Sequence, residues 1–341
     1  QITLVVSTHP RDRSYLEAAG YILNNVNIET ISAVGLPYKF SVKFILFAAK
    51  LFWAFWKSFL IILKHSPEVV VGFGGYVSFA PLVIARIVGK PVVIHEQNLI
   101  PGRANQLLSR IADKITISFE GTTGLFSQRV AQDKIVKTGL PLRRHILHCR
   151  KELTSKVAEF RRKITILICG GSQGAHNINE LVLNCLGLLD KSTLAQIRLI
   201  HLAGKKDFHY VQERYRTLRL EAQVFDFLEE MADVYESADL MIGRAGAGTI
   251  FEAASFGLPC ILIPHTHGTK HQKDNALFLQ RKGAALVLDE HNTSSEDLKR
   301  MLLDLINSER IRQKLSQEIR MLEVPGASHN LKEEIFTLIQ R

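Results

Sequence analysis

His95 and Glu96 end a β-branched run, Val92-Val93-Ile94, and set an imidazole beside a carboxylate. These two types can take a proton from an attacking hydroxyl, and the end of a strand is where open α/β sheets hold their ligands. A capping or hydrogen-bonded structural role is the plainer alternative. Far along the chain, Glu252 stands one turn into a helical pattern that follows Gly243-Arg244-Ala245-Gly246-Ala247-Gly248-Thr249. A carboxylate placed there can accept both hydroxyls of a ribose diol. An acid favoured by the positive end of the helix is the alternative.

Between these lies Cys169-Gly170-Gly171-Ser172-Gln173-Gly174-Ala175, which follows the apolar run Ile164 to Ile168 and opens a helical pattern from His176 to Leu189. Glycines let backbone amides approach a phosphate, and the helix start favours its charge. Ser172 can add a hydroxyl donor. The segment is neither a Walker loop nor a full G-x-G-x-x-G, so a tight turn kept for geometry stays open. The loop Pro264 to Asn275 includes His265, His267, His271, Gln272 and Asp274 and suits sugar hydroxyls; its histidines have no zinc-site spacing, and no metal is assigned to it. In the first half, Gly72-Phe73-Gly74-Gly75-Tyr76-Val77-Ser78 has Val77 where a dinucleotide fingerprint needs glycine, which argues against a nicotinamide cofactor.

These residues all fall where strand-like runs end. Runs at Ile2–Val6, 69–71, 92–94, 115–117, 164–168, 199–201, 240–242 and 261–263 alternate with helical patterns, which predicts parallel sheets covered by helices. The pattern lapses into a basic stretch from Pro141 to Lys163. We therefore expect a first domain over 1–140, a linker over 141–163, a second domain over 164–324 and a final helix over 325–341 that folds back on the first domain. Ligand would lie between strand-end loops of two domains facing a cleft.

One segment does not fit an ordinary surface helix. Tyr38 to Leu63 is dense in Phe, Leu and Ile and includes Trp53 and Trp56, yet Lys43, Lys50, Lys57 and Lys64 recur every seven residues. On a helix those lysines form one stripe. The charges argue against a membrane span, while lysines beside aromatics suit a helix lying among anionic headgroups. A core helix with one wet edge is the alternative.

The 341 residues, 46% hydrophobic, suffice for two cores, and a net charge of +10 favours an anionic partner. Cys149, Cys169, Cys185 and Cys260 form no C-x-x-C pair, as expected of reduced thiols. No signal peptide is visible at the amino terminus, which lacks a starting Met.

Taken in order, GFGGYVS, HEQN, GGSQGA, GRAGAGTIFEAASFGLP and HQKDNA resemble the MurG family over nearly the whole chain. The resemblance implies the GT-B fold, two Rossmann-like α/β domains of which the second binds a UDP-sugar and the first meets a lipid acceptor. By motif, Arg143, Ser172, Gln173, Leu228, Ala247, Gly248, Thr249 and His271 would contact UDP-GlcNAc, with Glu252 on the ribose, Gln272 on the sugar hydroxyls and Asn98 near the donor sugar. Gly74, Gly75, Tyr76, Ser78 and Asn105 would lie on the acceptor side. Leu140 stands where the family usually has Asn, and Ala245 and Gly248 where it often has Ser or a bulkier residue. The chain starts at what resembles the family's second strand, so the first glycine loop, whose histidine is a proposed base, is not in it. Glu96 or His95 is the remaining candidate.

The implied reaction is inverting transfer of GlcNAc from UDP-GlcNAc to the C4 hydroxyl of MurNAc in lipid I, giving lipid II for peptidoglycan. No D-x-D pair is present, so no cofactor is required, a divalent cation being an optional helper. The implied partners are UDP-GlcNAc, lipid I, the anionic cytoplasmic leaflet of the inner membrane, where the protein would be peripheral, and other cell-wall synthesis and division proteins. Nucleic acid is not expected. The rival readings are a transferase to another lipid acceptor, a UDP-GlcNAc 2-epimerase, and an inactive UDP-sugar-binding membrane protein.

Overall fold

The computed structural model describes residues 1–9, 26–32, 42–149, 163–171, 174–265 and 271–340, without the side chains of 42–46 and 148–149. The expected donor residues Ser172 and Gln173, and His267 of the polar loop, lie outside the described residues. The chain divides into two units. The first takes in the described residues up to Gln97, then Pro101–Gly139 and the chain from Ser328 on; the second takes in Asn98–Ile100 and the described residues of Leu140–Ala327.

In the first unit β1 (Ile2–Ser7) pairs in parallel with β2 (Val26–Ile31), Ile2 opposite Val26. Helix α1 (Val42–His65) follows. A second, all-parallel sheet has the order β3 (Val70–Gly72), β4 (Val92–Glu96), β5 (Lys114–Ile117), β6 (Ile135–Lys137). Its centre is β4, whose five residues are all buried, because a parallel strand covered on both faces favours an unbroken apolar run. Helices α2 (Gly75–Ile87) and α3 (Arg103–Leu108) follow β3 and β4. The core gathers Ile62, Leu82, Ala85, Val92, Ile94, Leu108 and Ile115. From the carboxyl end of the chain, Glu334 pairs with Lys114 at 3.0 Å.

Helix α1 buries Ala54, Ser58, Ile61 and Ile62 and exposes Phe52, Trp53, Trp56, Leu60 and Leu63, Trp53 to 64%. Ser58 can be buried because its hydroxyl donates to Ala54 O at 2.6 Å. Lys50, Lys57 and Lys64 are exposed and, at 100° per residue, fall between the buried face and the exposed aromatic row. Lys43 is helical, but its side chain lies outside the described ones. The lysine stripe is thus joined by a second, apolar stripe facing outward. No helix among the described residues is long and apolar enough to cross a membrane.

The second unit holds a six-stranded parallel sheet in the order β12 (Leu286–Val287), β11 (Cys260–Leu262), β10 (Leu240–Gly243), β7 (Ile164–Cys169), β8 (Ile197–Leu202), β9 (Ala222–Phe225). The described end of the basic stretch is not plain linker: α4 (Arg144–Cys149) is helical and buries Ile146 completely. Helices α5 (His176–Gly187), α6 (Lys191–Leu194), α7 (Phe208–Leu218), α8 (Ala232–Ser237), α9 (Ala247–Phe256), α10 (His271–Arg281), α11 (Ser295–Asn307) and α12 (Glu309–Arg320) belong to this unit, whereas α13 (Ala327–Ile339) belongs, from Ser328 on, to the first. Its core includes Ile166, Ile168, Val182, Leu199, Ile242, Ile261 and Leu302.

Candidate functional site

Three strand ends of the second unit stand side by side. Gly243 is registered opposite Cys169 on one side and Leu262 on the other, so the loops after β7, β10 and β11 begin together at one edge of the sheet. The first is the glycine turn. A side chain on Gly170 would press into Ala175, and one on Gly174, at φ +74°, would overlap the Ala203 carbonyl. Only glycine fits these close approaches. Helix α5 then starts with no side-chain cap, which leaves its first amides available to an anion.

From the second loop rises α9 with Glu252. Arg143 donates to Glu252 Oε1 from Nε at 3.1 Å and Nη2 at 2.9 Å, and to Glu229 O from Nη1 at 2.9 Å. The buried Tyr235 hydroxyl also hydrogen-bonds Glu252, and burial first, with the charge of Glu252 adding to it, pushes that phenol well above its ordinary range. Burial and, more weakly, Glu252 push the Cys169 thiol up as well, which sets this carboxylate close to the end of β7. Leu228 is half-buried beside Glu229. Ala247 is buried at the start of α9, Thr249 is half-buried, and Gly248 is exposed with open space where a side chain would go.

The third loop leads through His265 to α10. Gln272 Oε1 accepts from His265 N at 2.9 Å, and His271 Nδ1 is buried with no hydrogen-bond partner among the described residues. Asn275, fully buried, donates to Asn98 Oδ1 and Ala245 O, both at 3.2 Å, while its Oδ1 accepts from Leu99 N at 2.9 Å. Asn98 is therefore held by a residue of the HQKDNA motif to which the sequence reading gave no role.

A second unassigned residue ties the loops together. Glu290 Oε1 accepts from Arg244 Nη2 at 2.6 Å and Asn177 Nδ2 at 3.0 Å, and its Oε2 lies 3.3 Å from His265 Nδ1. Burial alone would raise its pKa, but Arg244 foremost, then Asn177 and His265, hold it down at about 2. Nothing local marks Glu290 in the sequence, because its partners are remote along the chain.

In the first unit the pair expected to supply a base is buried. His95 is 0% exposed. Thr116 Oγ1 donates to Ile94 O at 3.3 Å, so it accepts from His95 Nδ1 at 2.9 Å, leaving Nε2 to accept from Ser118 Oγ at 3.3 Å. Burial lowers the ring's pKa to about 4, and it is neutral. Glu96 is 2% exposed, and its Oε2 accepts from Gly102 N at 2.9 Å and Asn105 Nδ2 at 2.8 Å. This carboxylate ties down the 97–102 loop, and neither it nor the His95 ring is open to solvent.

Asn105 also donates to His95 O at 3.2 Å, which orients its amide, and its Oδ1 is buried without a partner among the described residues. Gly74 and Gly75 take φ of +84° and +73°, and Ser78 Oγ donates to Gly74 O. Tyr76 and Phe73 are exposed there, and Gly74, Gly75, Tyr76, Ser78 and Asn105, the residues expected on the acceptor side, lie in one neighbourhood.

Residues 5–117 match the glycosyltransferase family 28 N-terminal domain and residues 165–331 its C-terminal domain. The UDP-N-acetylglucosamine–N-acetylmuramyl-(pentapeptide) pyrophosphoryl-undecaprenol N-acetylglucosamine transferase of Thermodesulfovibrio yellowstonii is 33% identical over 344 residues, covering 100% of this chain and 91% of its own. That of Pseudomonas fluorescens is 34% identical, covering 94% and 85%. Among solved structures, Acinetobacter baumannii MurG superposes with a TM-score of 0.76 at 28% identity, over 99% of this chain and 91% of that one. The UDP-GlcNAc 2-epimerase of Neisseria meningitidis bound to UDP-GlcNAc, at TM-score 0.63 and 13% identity, shares the fold alone.

Proposed function

The chain belongs to glycosyltransferase family 28 and, within it, to the MurG family of UDP-N-acetylglucosamine–N-acetylmuramyl-(pentapeptide) pyrophosphoryl-undecaprenol N-acetylglucosamine transferases, and on that premise we propose that it carries out this transfer itself. The C4 hydroxyl of the lipid-linked MurNAc attacks the anomeric carbon of UDP-GlcNAc and gives up its proton to a general base, the bond to the pyrophosphate breaks, and UDP leaves with inversion. One observation supports this beyond relatedness: Arg143 and Glu252, 109 residues apart, meet at 2.9 Å beside the strand end that opens the glycine turn.

The pyrophosphate lies on the amides at the start of α5, where charge that develops on the leaving group is stabilised by groups already in place. Glu252 takes the ribose diol, and Arg143, released from it, turns to the phosphates. Gln272 and His271 face the sugar. On the acceptor side the Gly74–Gly75 turn and Asn105 receive the lipid-linked saccharide, with Glu96 and neutral His95 holding that turn's supports.

The outward aromatic row of α1 and the lysines next to it support peripheral docking on an anionic leaflet, the cytoplasmic face of the inner membrane in a bacterium. The deciding experiment is transfer of labelled GlcNAc from UDP-GlcNAc to a lipid I analogue by the full chain. A labelled disaccharide lipid is the expected product. Conversion of UDP-GlcNAc to its 2-epimer with no lipid product would overturn the reading in favour of an epimerase.

A further inference from the structure

We propose that Glu290 is a positioning residue for the donor, holding three strand-end loops of the second unit in one arrangement. The inference rests on the donor reading above. The Glu290 side chain is 3% exposed and paired with Arg244, itself only 10% exposed. Two charges so far from water persist only if their remaining bonds are satisfied. Each partner here follows a different strand, β7, β10 or β11.

Asn177 stands in the first turn of α5, directly after the glycine turn. Arg244 is the first residue after β10, on the way to α9 and Glu252, and its Nη1 donates to Ile263 O at 3.1 Å. His265 follows β11, and its backbone N–H holds Gln272. One carboxylate therefore touches the loop expected to hold phosphate, the loop expected to hold ribose and the loop expected to hold sugar. Both carboxylate oxygens are taken up by Asn177, Arg244 and His265, so its influence on the donor runs through the groups it fixes, as outer partners act on the ligands of a metal site.

Titration calorimetry of the full chain with UDP-GlcNAc and with UDP tests this, using Glu290→Gln, Asn177→Ala and His265→Ala. Glu290→Gln is expected to raise the Kd for UDP-GlcNAc about tenfold. Asn177→Ala is expected to weaken UDP and UDP-GlcNAc alike by about threefold, and His265→Ala to weaken UDP-GlcNAc by about threefold with UDP unchanged. The KM for the lipid acceptor stays at its wild-type value in each. A residue that served only stability would lower the unfolding temperature and leave both affinities unchanged in the folded protein. Donor affinities within about twofold of wild type in all three folded variants overturn the proposal. If Glu290→Gln does not fold, the other two variants, which leave the Glu290–Arg244 pair in place, decide alone. A wild-type chain that binds neither UDP nor UDP-GlcNAc overturns the donor reading itself.

Discussion

The two glycine turns invite comparison. Each follows a parallel strand, each contains glycines at positive φ, and each opens a helix, α2 or α5, with no side-chain cap. Behind Gly74 the support is an amide, a neutral imidazole and a carboxylate held by N–H donors: Asn105, His95 and Glu96. Around the turn after β7 the support is ionic, Arg143 on Glu252 and Arg244 on Glu290. The same backbone device thus stands on two kinds of support, in keeping with the two roles proposed for it. A site for a charged pyrophosphate needs fixed cations nearby, whereas a site for saccharide hydroxyls needs oriented hydrogen-bonding groups.

Several substitutions would break or sharpen that contrast. Glu252→Ala removes the proposed ribose acceptor and the partner of Arg143, and should lower kcat/KM by about 100-fold, about 2.7 kcal/mol, mostly through donor KM in steady-state assays. An unchanged donor KM would remove Glu252 from the site. Next in size is the pair of glycine substitutions. Gly174→Ala meets backbone at the Ala203 carbonyl and should cost about 3 kcal/mol in urea unfolding, and Gly74→Ala, whose new methyl lies 3.3 Å from the Asn105 amide, about 1–2 kcal/mol. Equal costs would mean that the two turns are equally tight.

The buried imidazole gives a pH signature. The folded pKa of His95, about 4, lies below its ordinary 6.5, so its contribution to stability is complete above pH 6.5 and is lost as pH falls toward 4. His95→Gln should flatten unfolding free energy over that window for the first unit, followed by amide exchange in β4 and β5. A slope like the wild type's would contradict the neutral ring. The smallest expected effect is at the surface: Lys57→Gln should weaken binding to anionic vesicles by about 1 kcal/mol at low salt and leave vesicles of neutral lipid unaffected. Unchanged binding to anionic vesicles would point to the aromatic row alone.

Much of this was legible from local pattern. Seven of the apolar runs after the first, from 69–71 to 261–263, fall in β3, β4, β5, β7, β8, β10 and β11, because strands buried on both faces have few polar residues to obscure them. The strands that escaped notice, β2, β6, β9 and β12, are partly exposed, and β6 and β12 are also very short, so their composition resembles that of loops. The apolar, lysine-striped segment was visible too. Its division into a buried face through Ala54, Ser58 and Ile61 and an exposed row through Trp53, Trp56 and Leu60 was not, since aromatic and aliphatic residues occupy both.

What the sequence determined by itself is the set of elements and the places where they turn, along with family membership, because β-branched runs, glycines at close approaches and ordered motifs act over a few neighbouring residues. Only the tertiary structure decided which polar groups are buried and which partners hold them. His95 and Glu96 read as a reactive pair until their burial is known, and Glu290 reads as a loop acid until Asn177, Arg244 and His265 converge on it from 113, 46 and 25 residues away. Desolvation and long-range pairing set those roles, and both depend on packing that no local window of residues contains.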